Sequence, residues 1–397
     1  MKHRISLIVC IAALFVAFSS GCTSPSVAES VPEAERSRLA LSSYSDGIYR
    51  GFYIDGGIEQ LSVEFALKDN AFVFVRYQSI NYKDGNYLGE NATNIQSQVA
   101  SQFQEAATYL VGKPVDIIPE ILDSDLVVSD RDAVTSATLR TGKLASALMD
   151  GLSRGVFRTT DTTVLSVPET APDGGYIGFY YDGAQEEVSV EFTLHDNCFT
   201  QVCLLTPDAD TAPDAAKRYT ALLNGFSGQP LTAIADLYGS GGDNASLHGK
   251  LASAMMNALS RGVFQPSAST VFPSLSGYAN GTYRGFFYEG GIEQVSVQFE
   301  LVNDTFASVK YRGLGYTDGD YLDDDATVEQ STVTREYLAL ARRLEGRTVG
   351  SIYDLFQPAE DETEVDAVSG ATCAANKLVS ALMDGLNRGV YRMTDAD

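Results

Sequence analysis

Two short phrases carry the residue types from which chemistry could be built. Residues 365–375 read VDAVSGATCAA and residues 131–139 read RDAVTSATL, so the pattern D-A-V-x-x-A-T occurs twice. Each phrase sets an acid (Asp366, Asp132) ahead of small residues (Ser369, Gly370 and Ala371; Ser136 and Ala137) and a hydroxyl (Thr372, Thr138). An amphipathic pattern follows each, which places both phrases just before a helix or at its start. There the free backbone N–H groups and the helix dipole favour an anion. Little side-chain bulk at Ser369, Gly370 and Ala371 would let a phosphate-bearing ligand reach the backbone. A hydroxyl in that setting can coordinate a phosphate or be esterified to one. The plain structural alternative is that each Thr or Ser is an N-cap.

The elements that must position these phrases recur along the chain. Residues 47–70 (GIYRGFYIDGGIEQLSVEFALKDN), 175–197 (GYIGFYYDGAQEEVSVEFTLHDN) and 281–304 (GTYRGFFYEGGIEQVSVQFELVND) are versions of one block. A second block recurs at 142–158, 249–265 and 376–392. Self-similarity of this kind marks repeated units. The interval from Gly47 to Gly281 equals that from Asp132 to Asp366, so the first and third copies align end to end. The middle copy is shorter between its two blocks and reads GSGGDNASLHGK (239–250) where the others carry the phrase. It keeps the closing helix and lacks the phrase, which argues that the phrase is separable from folding.

Within a copy, Leu61 to Leu67 alternates apolar and polar, the signature of a half-buried strand. Lys68-Asp69-Asn70 is a turn signal and residues 71–77 continue β-rich, so a hairpin is expected. Residues 97–111 and 333–344 read as helices. Leu144, Ala147, Leu148 and Leu152 share a face of a closing helix that ends near Gly155. The expected architecture is α+β: three tandem repeats, each an antiparallel sheet with packed helices. The boundaries are 44–158, 172–265 (shortened, phrase lost) and 277–397, with Thr/Ser/Pro-rich linkers at 159–171 and 266–276. YKDGNYL (82–88) and YTDGDYL (316–322) read as tight turns that the middle copy lacks, and a ligand-pocket role for them is a further reading. Tyr49, Tyr176 and Tyr283 recur and read as core aromatics; Asp323 to Asp325 read as a solvated loop.

Composition excludes several function classes. The formal net charge is −24, which repels nucleic acid and anionic head groups and suits a basic partner. There are 5 Cys and 3 His, without C-x-x-C spacing, so no zinc, haem or disulfide framework is expected. At the start, Met1 to Arg4 is basic, Ile5 to Phe18 is apolar, and Ser19-Ser20-Gly21 precede Cys22. This is similar to a bacterial lipoprotein signal (1–21), with Ser19 where such signals carry Leu. The resemblance implies acylation of Cys22, a tether over 22–43, and export to the outer face of the cell membrane.

The G-x-Y-x-G opening, the alternating strand with its D/N turn, and D-x-x-S-G-A-T before a helix together resemble the FMN-binding domain. That domain occurs in the FMN-carrying subunits of sodium-translocating quinone reductase and related electron-transport flavoproteins. The resemblance covers most of residues 44–392. It implies FMN held by a phosphoester to Thr372, within the motif Asp366, Ser369, Gly370, Ala371 and Thr372, attached by an extracytoplasmic flavin transferase. In the first copy Asp132, Ala137 and Thr138 match, while Ser136 replaces the Gly, leaving flavin on Thr138 an open question. The middle copy is expected to be flavin-free. The function implied is a lipid-anchored electron carrier between a membrane or extracellular donor and acceptor, rather than a self-sufficient enzyme. The alternatives are a non-redox surface lipoprotein whose repeats are binding or packing modules, and an electron-entry subunit of a reductase complex.

Overall fold

The computed structural model describes residues 38–39, 42–122, 134–182, 185–239, 245–357 and 365–393. Side chains are described for all of these except 134–140, 239, 245 and 365–373. The chain is a mixed α and β protein with antiparallel sheets and packed helices.

The first sheet comprises β1 (Gly47–Asp55), β2 (Ile58–Lys68), β3 (Ala71–Tyr82) and the short β4 (Gly85–Asn86), in sequential order. Helix α1 (Asn94–Leu110), a 3-10 segment (Val115–Leu122) and helix α2 (Val134–Ser153) follow it. The second sheet contains β5 (Gly174–Asp182), β6 (Gln185–His195) and β7 (Cys198–Thr206). Helix α3 (Pro213–Leu223), a 3-10 segment (Leu231–Gly239), helix α4 (Ala245–Arg261) and β8 (Gln265–Pro266) come next, and β8 pairs back onto β5. The third contains β9 (Gly281–Glu289), β10 (Ile292–Val302) and β11 (Thr305–Gly313), then the hairpin β12 (Gly315–Tyr316) and β13 (Gly319–Asp320). Helix α5 (Val328–Arg342), a 3-10 segment (Val349–Phe356) and helix α6 (Val365–Arg388) complete the chain.

The hairpin expected at Lys68-Asp69-Asn70 forms, with Asp69 and Asn70 both at positive φ (51° and 60°). Such turns match the strand twist and favour Asp and Asn. The β2 strand departs from the half-buried expectation, because every residue from Leu61 to Leu67 is buried. Its polar face is covered by cations: Arg50 donates to Glu64 at 2.8 Å, and Arg76 also pairs with that carboxylate. Tyr49, Tyr176 and Tyr283 are core residues, stacked on Phe65, Phe192 and Phe299.

Close helix-on-sheet contact fixes the closing helices. A Cβ at Gly51 would lie 1.9 Å from the Ala147 carbonyl oxygen, and one at Gly285 would lie 2.0 Å from that of Ala381. Only Gly lets β1 and β9 approach α2 and α6 so closely. Two expected spacers also take part in packing. Leu39, assigned to a flexible tether, is 1% exposed, and Arg38 donates to the Leu386 carbonyl at 3.4 Å. Phe272, in the second linker, stacks on Tyr353 at 4.3 Å. An apolar side chain in a polar stretch was the available sign in both cases.

Candidate functional site

Helix α6 begins at Val365, so Asp366 lies in its first turn and Ser369, Gly370, Ala371 and Thr372 lie in its second. Helix α2 begins at Val134, with Ser136 and Ala137 in the first turn and Thr138 immediately beyond. The threonines, expected at or just before the helix N-terminus, instead lie within their helices. Val, Ala and Thr interrupt nothing, no Pro intervenes, and the apolar period simply extends upstream. Two consequences follow. Neither Thr138 nor Thr372 is an N-cap. The unpaired N–H groups of α6 belong to its first four residues, so the N–H groups of Gly370 to Thr372 are already spent in the helix ladder. Asp132 and Cys22 lie outside the described residues, as do the side chains of residues 134–140 and 365–373.

One lysine on each of these helices lies five positions beyond the threonine, Lys143 after Thr138 and Lys377 after Thr372, about 7.5 Å farther along the axis. Lys143 Nζ donates to Gln60 Oε1 at 2.6 Å and to the Tyr82 hydroxyl at 3.2 Å. The ammonium also sits 4.5 Å from the Tyr82 ring centre and 5.8 Å from that of Tyr53. Tyr82 in turn packs on Tyr87, with ring centres 4.8 Å apart. The second site is built likewise. Lys377 donates to Gln294, pairs with Glu289 at 3.2 Å, and lies 5.6 Å from the Tyr316 ring, which stacks on Tyr321 at 4.4 Å. Cation and ring face attract through the ring quadrupole, so each site is an aromatic cradle with a cationic pole.

The hairpins expected at 82–88 and 316–322 supply these tyrosines, with Tyr82 opposite Gly85 and Tyr316 opposite Gly319. Each hairpin is tied to the next helix through a capping box. Thr93 and Gln96 cap α1, and Gln96 Nε2 also reaches Asp84 Oδ2 at 3.2 Å. Thr327 and Gln330 cap α5, and Gln330 Nε2 reaches Asp318 Oδ2 at 3.1 Å. The Tyr321 hydroxyl donates to Asp318 at 3.0 Å and, with Gln330, holds that carboxyl below its usual value. The T-x-x-Q signature of both boxes stands in the sequence and is the signal by which these helix starts are legible.

Among the described residues, the stretch around the second sheet lacks this arrangement, and no hairpin follows β7. Lys250, on α4, pairs with Glu187 and lies 3.8 Å from Asp182. Glu187 stands where the other two blocks have Gln60 and Gln294, so this lysine is bracketed by carboxylates. One further polar atom stands out on α6. Asn376 is 6% exposed and lies one turn beyond Thr372, and among the described residues its Oδ1 meets no hydrogen-bond donor. A buried acceptor left unsatisfied is costly, and it would suit a ligand hydroxyl or ring N–H.

Other clusters are weaker. Asp173, His195 and Asp196 bring potential metal-ligand atoms within 4.8 Å of one another. However, Nδ1 of His195 faces Asp173 at 2.8 Å while Nε2 faces Asp196 at 3.7 Å, so the two carboxylates meet opposite edges of the ring. Cys198 and Cys203 are free, and Asp323 to Asp325 are exposed. Among the described residues no helix is long and apolar enough to cross a membrane. Comparison with models of protein families, with curated proteins and with solved structures finds no match in any of the three.

Proposed function

We propose that the chain is an exported, lipid-anchored flavoprotein built from three tandem FMN-binding-type repeats and working as an electron carrier. FMN is joined by a phosphoester to Thr372, with Thr138 as the second attachment point, and the anchor is the acylated Cys22. The observation that carries this reading is a co-occurrence within one chain. The two units that hold the D-A-V-x-x-A-T phrase also hold the tyrosine hairpin and a Lys–Gln pair. Among the described residues, the unit without the phrase has no such hairpin, and it carries Glu187 in place of Gln. Features that vary together among units sharing the same strands and closing helix belong to a ligand, not to the fold.

The described residues fit an FMN group. Tyr82, Tyr87, Tyr316 and Tyr321 offer ring faces, Lys143 and Lys377 offer positive charge, and the Asn376 Oδ1 is an acceptor in want of a donor. When bound, the flavin supplies the redox chemistry; the protein holds it in place and sets the local charge. The partners on this reading are a flavin transferase for attachment and a membrane or extracellular redox protein. The surface charge suits a basic partner and not nucleic acid.

The test is export from a host that co-expresses the transferase, followed by intact mass and acid precipitation. The expected result is yellow protein whose colour survives the acid and whose mass exceeds that of the peptide by one or two FMN groups. Thr372→Ala removes one group and, where the mass shows two, Thr138→Ala removes the other. Co-expressed, exported protein without any flavin mass would leave a non-redox lipoprotein as the reading.

A further inference from the structure

The closing helices meet at a sealed polar hub. Asp150 on α2 with Arg154 in the turn that ends it, Asn257 and Arg261 on α4, and Asp384 and Arg388 on α6 are each no more than 2% exposed. On each helix the first of the pair accepts the backbone N–H of a Phe in its own unit's first strand. Asp150 takes Phe52 at 2.9 Å, Asn257 takes Phe179 at 3.2 Å and Asp384 takes Phe286 at 3.1 Å. Each arginine then reaches one unit onward. Arg154 donates to the Phe179 carbonyl, Arg261 to the Phe286 carbonyl, and Arg388 returns to the Phe52 carbonyl of the first sheet. Arg261 pairs with Asp384 at 2.8 Å, and Arg388 pairs with Asp150 at 2.8 Å.

Connections at the rim join the same three pairs of units. Arg50 donates to the Tyr180 hydroxyl and Arg284 to the Tyr53 hydroxyl. The Gly57 N–H donates to Glu293, and the Gly291 N–H donates to Glu186. Buried guanidiniums need every one of these acceptors, because a charge sealed from water and left unpaired strongly destabilises a fold. Without α4 and β5, Arg154 would lose its carbonyl and Asp384 one of its two arginines.

The geometry points to a role for the middle unit, residues 172–265, which holds no aromatic cradle: it is the keystone of a ring closed head to tail. The three units form one cooperative body held by the hub, not beads held by linkers. Ring closure also fixes the two cradles in one geometry, and it brings Tyr391 onto Tyr53 of the first cradle, with ring centres 5.6 Å apart. This inference does not depend on what the cradles bind.

The experiment uses the full chain with a protease site introduced at the exposed Asp161 of the first linker or Ala268 of the second. After complete cleavage, light scattering on a native sizing column is expected to give one particle with the mass of the whole chain. Urea unfolding of the cut protein, followed by far-ultraviolet dichroism and tyrosine fluorescence, is expected to give a single coincident transition. Fragments that separate, or probes that resolve a middle unit unfolding by itself, would overturn the keystone. Arg261→Gln in the uncut chain is expected to lower the midpoint of the whole transition, whereas a second, separate transition would count against the ring. The cut wild-type sequence decides the question even where that variant does not fold.

Discussion

Asn257 is the neutral member among the three acceptors of the hub, so three arginines there face two carboxylates. Burial pulls the Arg261 guanidinium down to about 10. Asn257→Asp keeps the acceptor for the Phe179 N–H and the Arg261 Nε, and adds the missing charge. The expected outcome is a gain of about 1.5–3 kcal/mol at neutral pH, the range of hydrogen bonds to charged groups, read as a higher urea midpoint with unchanged slope. No gain would mean that the Phe52, Phe179 and Phe286 carbonyls already satisfy the excess charge. The carboxylates already present make a pH prediction. Burial pushes the Asp150 carboxyl up, but Arg154 and Arg388 more than reverse this and hold it below its ordinary value. Glu64 is held low in the same way, with Arg50 and Arg76 outweighing its burial. A carboxyl whose folded pKa is depressed contributes stability above its unfolded pKa, and this contribution is lost as pH falls through the folded value. Stability from these two groups should therefore be full above about pH 5 and fall below about pH 4. Acid titration of the unfolding midpoint checks this, and Glu64→Gln should flatten the fall.

At the scale of elements, the helices and sheets depend on a few contacts of small tolerance. Gly51→Ala puts a methyl carbon inside the Ala147 carbonyl, where no rotamer can relieve it. The expected loss is at least about 1–3 kcal/mol, seen as a lower thermal midpoint, with Gly350→Ala as the contrast, because the nearest atoms to a Cβ there lie 4.0 Å away and its backbone is not left-handed. The strand alternation at 61–67, the Asp69-Asn70 turn and the Leu144 to Leu152 face were legible because each is a local rule. The start of α6 was not, because the residues of VDAVSGAT suit a helix interior as well as its approach. The burial of Glu64 was also hidden, since it depends on arginines from other strands. The cradles were half legible. The two tyrosine hairpins and their absence from the middle unit stood in the sequence, whereas Lys143 and Lys377 became visible only when α2 and α6 were laid across the sheets. The hub residues were invisible as a group, because M-D-G-L-S-R reads as an ordinary amphipathic helix until three of them converge.

The whole molecule combines a strongly acidic composition with an interior that concentrates positive charge where the three closing helices meet. Repeated sequence suggests a row of similar modules, yet the contacts join the last module to the first. The linkers add to this, since Phe272 packs on Tyr353 and Leu39 enters the core. That placement of Arg38 and Leu39 has a mechanical consequence. Arg38 and Leu39 pack at the seam where α6 meets the first sheet, so a pull applied at Arg38 is delivered to that seam. The long, part-buried Arg38 contact with Leu386 is expected to yield before the buried contacts of Arg388 with Asp150 and the Phe52 carbonyl. Traction at Arg38 is thus resisted by the buried clamps of the ring and not by peeling one strand at a time.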